Sequence, residues 1–338
     1  MALEESVAGR ALLIGDFWQA RPSQRWWIGS PGGLRLNLLL FLPGRVLFYT
    51  EAQVLETRLV YNFGSMERRL AALEELEARM AREGQPGAAD LMSIHTEDFG
   101  DSPFWQRVYD SGIFHGEILV HFYTEQSIPI EFFHTAGQEW VCHFAIRLVQ
   151  SIESARQTPG QHLNAKSRQT LVWLNPLGPD LSVARQEAMQ LAELLGARSD
   201  VRLVSRALSE FEYQEALHDA DLFIYLGHAR FRHGQVLIPL GADWLPMLWH
   251  GLSPGLSLVI LAACLDTDMR LLQSTGPAFV HPLCRIADRP TVFLEQFLSS
   301  LTRGLDQSSA WLAACRADAQ SGDIRRRLMR LQGKAVLI

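Results

Sequence analysis

Two apolar runs, Leu222-Phe223-Ile224-Tyr225-Leu226 and Leu258-Val259-Ile260-Leu261-Ala262-Ala263, constrain the fold of this chain most strongly. Neither contains a charged residue or a hydrophobic-polar alternation. A strand built from either must therefore be covered on both faces, which is the condition of a strand inside a parallel sheet flanked by helices. The surrounding pattern agrees. Leu171–Leu174 reads as a strand, Ser182–Leu195 as a helix ended by Gly196, Val201–Ser205 as a strand, Ser209–His218 as a helix and Asp221–Gly227 as a strand. Strands alternating with helices imply an α/β fold with a mostly parallel sheet, right-handed crossovers and helices on both faces.

Both runs end on residues able to act on a peptide bond. The first closes on Gly227-His228 and the second on Cys264, and the carboxyl ends of parallel strands are where open α/β sheets place their sites. A separation of 36 residues leaves room for one crossover between them, so neighbouring strands would bring His228 and Cys264 together. A free thiol titrates near 8.5 and is a poor nucleophile at neutral pH, whereas an adjacent imidazole stabilises the thiolate and can protonate a leaving amine. The pair points to a cysteine peptidase that needs no cofactor.

The first sixty residues read as β-rich, with strands expected over Arg10–Ile14, Arg25–Ile28, Leu34–Leu42, Val46–Thr50 and Leu55–Tyr61, separated by Pro/Gly turns. Met66–Arg82 reads as an amphipathic helix with Met66, Leu70, Leu73 and Met80 on one face, capped by Ser65 and ended by Gly84 before a loop over 84–90. Phe104–Tyr109 reads as helix and Glu117–Tyr123 as strand, followed by a short apolar segment through Phe133. Past Cys264, Ala278–Leu283 reads as strand, and Thr291–Leu301 and Ser309–Ala319 as helices. A β-rich region with its helix over 1–110 thus precedes the α/β domain over 111–338, with one continuous α/β unit as the alternative.

Charge and composition exclude several classes. With 338 residues and 48% hydrophobic content the chain can hold a large core, and a net charge of −6 with no Lys/Arg run of five offers no nucleic-acid footprint. Only Lys166 and Lys334 among the 31 basic residues are lysine, a bias that reads as genome composition. The longest apolar run, Leu36–Leu42, is interrupted by Asn37 and ends at Pro43, far short of the roughly 20 residues a bilayer needs. The start of the chain lacks a basic segment followed by an apolar one. Four cysteines without metal spacing, at 142, 264, 284 and 315, suit a reduced, cytoplasmic protein.

Other candidates have plainer readings. Cys142, Cys284 and Cys315 read as core residues. His115, His121, His134 and His143 with Glu117 and Glu131 lack the i, i+4 spacing of a metal site, and His115 and His121 read as a satisfied surface pair. His233-Gly234 lies in a polar turn and competes poorly with His228. Trp18, Trp26 and Trp27 read as core, with a protein-docking patch as the alternative. The stretch Arg325–Arg330 reads as a solvated helix face.

Several stretches resemble, in order, the CHAT domain family of the caspase-like clan of cysteine peptidases, to which separases and gingipains also belong. Ile128-Pro129-Ile130-Glu131 is similar to the family's "lPfE" motif. Leu171-Val172-Trp173-Leu174-Asn175-Pro176 with Asp180-Leu181, Ala184 and Glu187-Ala188 resembles its first sheet strand and helix. Gly227-His228 and Leu261-Ala262-Ala263-Cys264 with Thr267 resemble its histidine and cysteine motifs, and Ala278-Phe279-Val280, Asp288, Phe293–Phe297 and Ala310–Ala317 its tail. The resemblance implies a caspase-like sheet and an endopeptidase in which His228 is general base and acid and Cys264 the nucleophile. The oxyanion hole would be formed by the backbone of Cys264 with Gly227 or Ala229. It also implies a protein substrate and a regulatory or sensor partner, in a bacterial defence or signalling system. Ala229 and Asp268 stand where the family usually has glycine, which leaves a catalytically inactive CHAT-fold scaffold as the alternative. Asp266 either is structural or lines a pocket for a basic P1 residue, and no metal is implied.

Overall fold

The computed structural model describes residues 37–50, 54–58, 63–83, 103–123, 128–149, 169–177, 181–232, 235–240, 243–247, 255–264, 277–289 and 291–333; at 63–67, 69, 231–232 and 264 it describes the backbone. The N-terminal strands are β1 Leu38–Leu42, β2 Arg45–Tyr49 and β3 Val54–Arg58, followed by helices α1 Phe63–Glu83 and α2 Pro103–His115. Then come β4 Glu117–Phe122, the hairpin β5 His134–Thr135 and β6 Gln138–Glu139 set between 3₁₀ turns at Ile130–Phe132 and Trp140–Cys142, and β7 Ala145–Leu148. The regular alternation is β8 Gln169–Leu174, α3 Ser182–Gly196, β9 Asp200–Val204, α4 Glu210–His218 and β10 Leu222–His228. The connection onward carries β11 Arg230–Arg232, β12 Gln235–Leu240 and β13 Asp243–Pro246, leading to β14 Leu258–Cys264 and β15 Ala278–Pro282. Helices α5 Phe293–Thr302 and α6 Gln307–Gln320, the single turn α7 Arg325–Leu328 and β16 Met329–Gln332 complete the described order.

Eleven strands form one sheet in the order β3-β2-β1-β4-β7-β16-β15-β14-β10-β8-β9. β9, β8, β10, β14 and β15 run parallel to one another. β16 turns antiparallel to β15 and begins a second parallel group with β7, β4 and β1, after which β2 and β3 return as antiparallel hairpins. The protein is therefore α/β with a large, mostly parallel sheet and a short β-rich N-terminal region. Strands from that region lie in the same sheet as the rest. The Pro43-Gly44 turn between β1 and β2 needs Gly44 at φ +73°, a region that costs other residues strain.

Alternation along the central strands supplies both layers. Val172, Leu174, Ile224, Leu226, Leu258 and Ile260 pack with Ala184, Ala188 and Leu191 of α3, Phe293 and Phe297 of α5 and Trp311 of α6. The intervening residues Leu171, Trp173, Phe223, Tyr225, Val259 and Leu261 pack on the other face with Tyr213, Ala216 and Leu217 of α4 and with Val236 and Ile238 of β12. Every one of these strand residues is at most 2% exposed, which accounts for the absence of polar alternation in the two runs. α4 starts on a capping box: Ser209 accepts from the Glu212 N–H while the Glu212 carboxylate accepts from that of Ser209.

Two sequence expectations are corrected. The stretch Arg325–Arg330 is not a solvated helix face: Arg325, Arg326, Arg327 and Arg330 are only 2–5% exposed. Each meets a carboxylate, Arg325 that of Glu77, Arg326 those of Glu139 and Asp318, Arg327 that of Glu139, and Arg330 that of Glu131 through two hydrogen bonds of 2.7 and 2.8 Å. Paired guanidinium groups can be buried where unpaired ones cannot, and the pairing residues other than Asp318 lie far away in sequence. Likewise His115 and His121 are no surface pair. His115 ends α2, whereas His121 is buried on β4 with Nδ1 against the Val149 carbonyl oxygen. The strand β7, the small sheet β11-β12-β13 and the strand β16 are additions to the elements expected from sequence. The segments around Arg10–Ile14 and Arg25–Ile28, Trp18, Trp26, Trp27, the loop 84–90 and His233-Gly234 lie outside the described residues.

Candidate active site

β10 and β14 pair in parallel over their whole length, Leu222 opposite Leu258 through to His228 opposite Cys264. Their neighbours stop sooner. β8 pairs with β10 only as far as Leu174–Leu226, and β15 with β14 only as far as Ile260–Val280. The last rungs, Gly227 with Ala263 and His228 with Cys264, thus project beyond the flanking strands as a two-stranded ledge at the carboxyl edge. The topology puts a switch point beside this ledge. β9 lies outside β8 while β10 lies on its other side, so the chain reverses direction between β8 and β10, and crevices at such switch points receive ligands in open α/β sheets.

His228 is partly exposed and lines a cavity of about 230 Å³, whose walls include Leu181 just before α3, Ala184 and Glu187 of α3, Ala262 of β14, and Asp288, Arg289 and Arg325. Asp288 closes the first turn of α3 by accepting from the Val183 N–H at 3.1 Å and the Ala184 N–H at 2.7 Å, so that helix end is already satisfied from a loop more than a hundred residues away. Glu187 has no hydrogen-bond partner among the described residues. Burial pushes its carboxyl up to about 7; the Arg325 guanidinium opposes the rise and Asp288 adds to it.

The backbone about the histidine is held from the opposite face. The Tyr225 hydroxyl donates to the His228 carbonyl oxygen at 2.7 Å, and the Asn175 amide donates to the Tyr225 hydroxyl at 3.4 Å and to the Pro239 carbonyl at 2.8 Å. Gly227 is required for lack of a side chain rather than for its φ. A Cβ there would sit 2.7 Å from the Tyr225 hydroxyl oxygen and 3.2 Å from the Asn175 Cβ, and Gly227 is not among the residues of positive φ. Ala229 likewise has no positive φ and is buried, so alanine at this position carries no backbone strain.

Among the sequence candidates the structure thus brings the His228 and Cys264 positions together, with Gly227 and Ala229 beside them, while Asp266 and Asp268 lie outside the described residues. Cys284 and Cys315 are buried core thiols, and Cys142 is half-buried with its thiol pushed up to about 11 by burial and by Glu139. The remaining histidines and acids are engaged elsewhere: His134 Nδ1 meets the Phe132 carbonyl oxygen, His143 pairs with Gln138, Glu117 with Arg147 and Glu131 with Arg330. Among the described residues no group of three or more His, Cys, Asp or Glu is placed to hold a metal, and no helix is long and apolar enough to cross a membrane. Tyr225 carries no signal in the sequence beyond that of an apolar strand residue, and Glu187 enters there only within the Glu187-Ala188 stretch of the resemblance. Asn175 and Asp288 were legible only as members of a resemblance.

No protein-family model matches the chain. No curated protein matches it either. Among solved structures the chain is similar to the Arg-specific cysteine proteinase gingipain R, with 11% identity, a TM-score of 0.46, and coverage of 80% of this chain and 76% of that one.

Proposed function

We propose that the protein is a cysteine endopeptidase acting through His228 and Cys264. The observation that carries this reading is the last rung of the β10–β14 ladder, where an imidazole-bearing and a thiol-bearing residue stand directly opposite on a projecting edge beside a cavity. In this reading His228 takes the Cys264 thiol proton, and the thiolate attacks the scissile carbonyl carbon. The tetrahedral oxyanion is held by the backbone N–H of Cys264 and that of Ala229 or Gly227, and the imidazolium then protonates the leaving amine. Water, deprotonated by His228, hydrolyses the thioester and restores the thiol. Asp266 belongs to this reading as a residue of the substrate pocket. Activation by a sensor partner in a bacterial defence or signalling system rests on the family resemblance in the motifs.

The test needs no knowledge of the substrate. The rate of Cys264 alkylation by iodoacetamide, followed against pH in wild type and in His228→Ala, is expected to show a thiolate titrating well below the usual ~8.5 that returns to that range in the variant. An ordinary, slow thiol in both proteins would overturn the dyad and favour the scaffold. Once a protein substrate is identified, Cys264→Ala is expected to abolish its cleavage.

A further inference from the structure

We infer that Tyr225 is a positioning residue of this site, its hydroxyl fixing the peptide group between His228 and Ala229 so that the Ala229 N–H stands ready for the oxyanion; the inference rests on the peptidase reading above. Tyr225 is wholly buried on the face of β10 that packs against α4 and β12. Its ring runs along the strand across position 227 and delivers the hydroxyl to the His228 carbonyl oxygen at 2.7 Å.

Everything around that hydroxyl is arranged to keep it there. Asn175, wholly buried at the carboxyl end of β8, donates to it at 3.4 Å, donates to the Pro239 carbonyl of β12 at 2.8 Å, and accepts from the Leu177 N–H at 3.2 Å. Its own N–H extends the β8–β10 ladder to the Leu226 carbonyl at 2.9 Å. Three segments therefore converge on one hydrogen bond. A core tyrosine needs only one partner for its hydroxyl, and a phenylalanine would need none of this apparatus. The absent side chain at Gly227 is the steric condition for the arrangement, since a methyl group there would meet the hydroxyl oxygen at 2.7 Å.

The consequence for chemistry follows from peptide geometry. In a trans peptide group the C=O and N–H point in opposite directions. A carbonyl of residue 228 held towards Tyr225 therefore turns the Ala229 N–H away from it, towards the opposite side of the ledge. Donors fixed before the reaction stabilise a developing oxyanion without reorganisation, and removal of one such donor costs about 10²- to 10³-fold in rate. Loosening a donor rather than deleting it should cost less. Tyr225→Phe is therefore expected to slow carbonyl attack by about 10- to 100-fold while leaving the imidazole beside the thiol.

The experiment separates these two effects with two reagents. Iodoacetamide alkylates the thiolate without forming an oxyanion, whereas p-nitrophenyl acetate acylates it through a tetrahedral oxyanion and expels p-nitrophenolate. Both rates are measured against pH in wild type, Tyr225→Phe, Gly227→Ala and the double variant, with His228→Ala and Cys264→Ala as references and circular dichroism to verify folding. The expected result is acylation reduced in Tyr225→Phe and Gly227→Ala with an unchanged alkylation profile. The double variant should be no slower than the worse single one, because both changes break the same contact. Equal acylation in wild type and Tyr225→Phe would overturn the positioning role, as would additive losses or a parallel fall in both rates. Wild-type alkylation indistinguishable from His228→Ala, with acylation that persists in Cys264→Ala, would instead remove the peptidase reading itself, and the positioning role with it.

Discussion

Glu187 shows how much of a residue's character depends on where the fold puts it. In sequence it is one of many acids on a helix, yet it faces the His228 cavity and its carboxyl is pushed up to about 7 by burial. The sign of the consequence is fixed by linkage. Between the ordinary carboxylate range and about pH 7 the folded state holds a proton that the unfolded chain has released, so this residue's contribution to stability falls as pH rises through that window. Glu187→Gln is therefore expected to flatten the pH dependence of the urea midpoint between about pH 4.5 and 7 and to raise stability above it, where the charge no longer has to be held in the cavity. An unchanged profile would show that the carboxyl is solvated. His228 and Cys264 were legible because each terminates a run whose meaning is local. Tyr225 was not, because nothing in sequence distinguishes a core tyrosine from one whose hydroxyl reaches a carbonyl three residues on.

Helix α3 and strand β16 are both fixed by partners their own sequences do not reveal. The first turn of α3 is capped by Asp288 rather than by a residue of its own. Asp288→Ala should cost about 1 kcal/mol, the usual cost of a lost cap, measured as a lower denaturation midpoint; a cost near zero would mean that water replaces the carboxylate freely. In β16 the Arg330 side chain forms its two hydrogen bonds with Glu131 and a third, at 2.8 Å, with the Ile128 carbonyl, both charged groups being fully buried. The acid that ends the Ile128-Pro129-Ile130-Glu131 motif is thus a structural partner for the last strand. Removing one member of such a pair strands the other charge, at a cost of about 3 to 5 kcal/mol. Glu131→Gln should show this in urea unfolding, and the double change Glu131→Gln/Arg330→Met should recover part of it. A single variant as stable as wild type would contradict the account.

At the scale of the whole molecule, β16 joins the two parallel groups of strands, and the buried ion pairs bind the amino-terminal helix to that junction. α1 presents Leu70, Leu73, Leu76 and Met80 to a small core shared with Phe132, Cys284, Ile324 and Leu328. Glu77, on the same stripe seven residues after Leu70, is 1% exposed and receives Arg289 and Arg325, both of which also line the His228 cavity. An acid at an apolar stripe position was a visible signal for this in the sequence. Glu77→Gln should destabilise the protein by about 3 to 5 kcal/mol and make α1 easier to cleave by added protease under native conditions; wild-type resistance would show that the apolar contacts alone hold the helix. Strand–helix alternation, the parallel sheet and the two chemically able strand ends are written locally in the residues, because side-chain periodicity and turn residues act over a few positions. Long-range packing alone buries, or nearly buries, six arginines, 147, 289, 325, 326, 327 and 330, against carboxylates, brings Asp288 to cap a helix a hundred residues earlier, and sets Tyr225 against the His228 carbonyl. A buried charge is tolerated only when its counter-charge arrives from elsewhere in the chain, and a short-range pattern carries no record of that arrival.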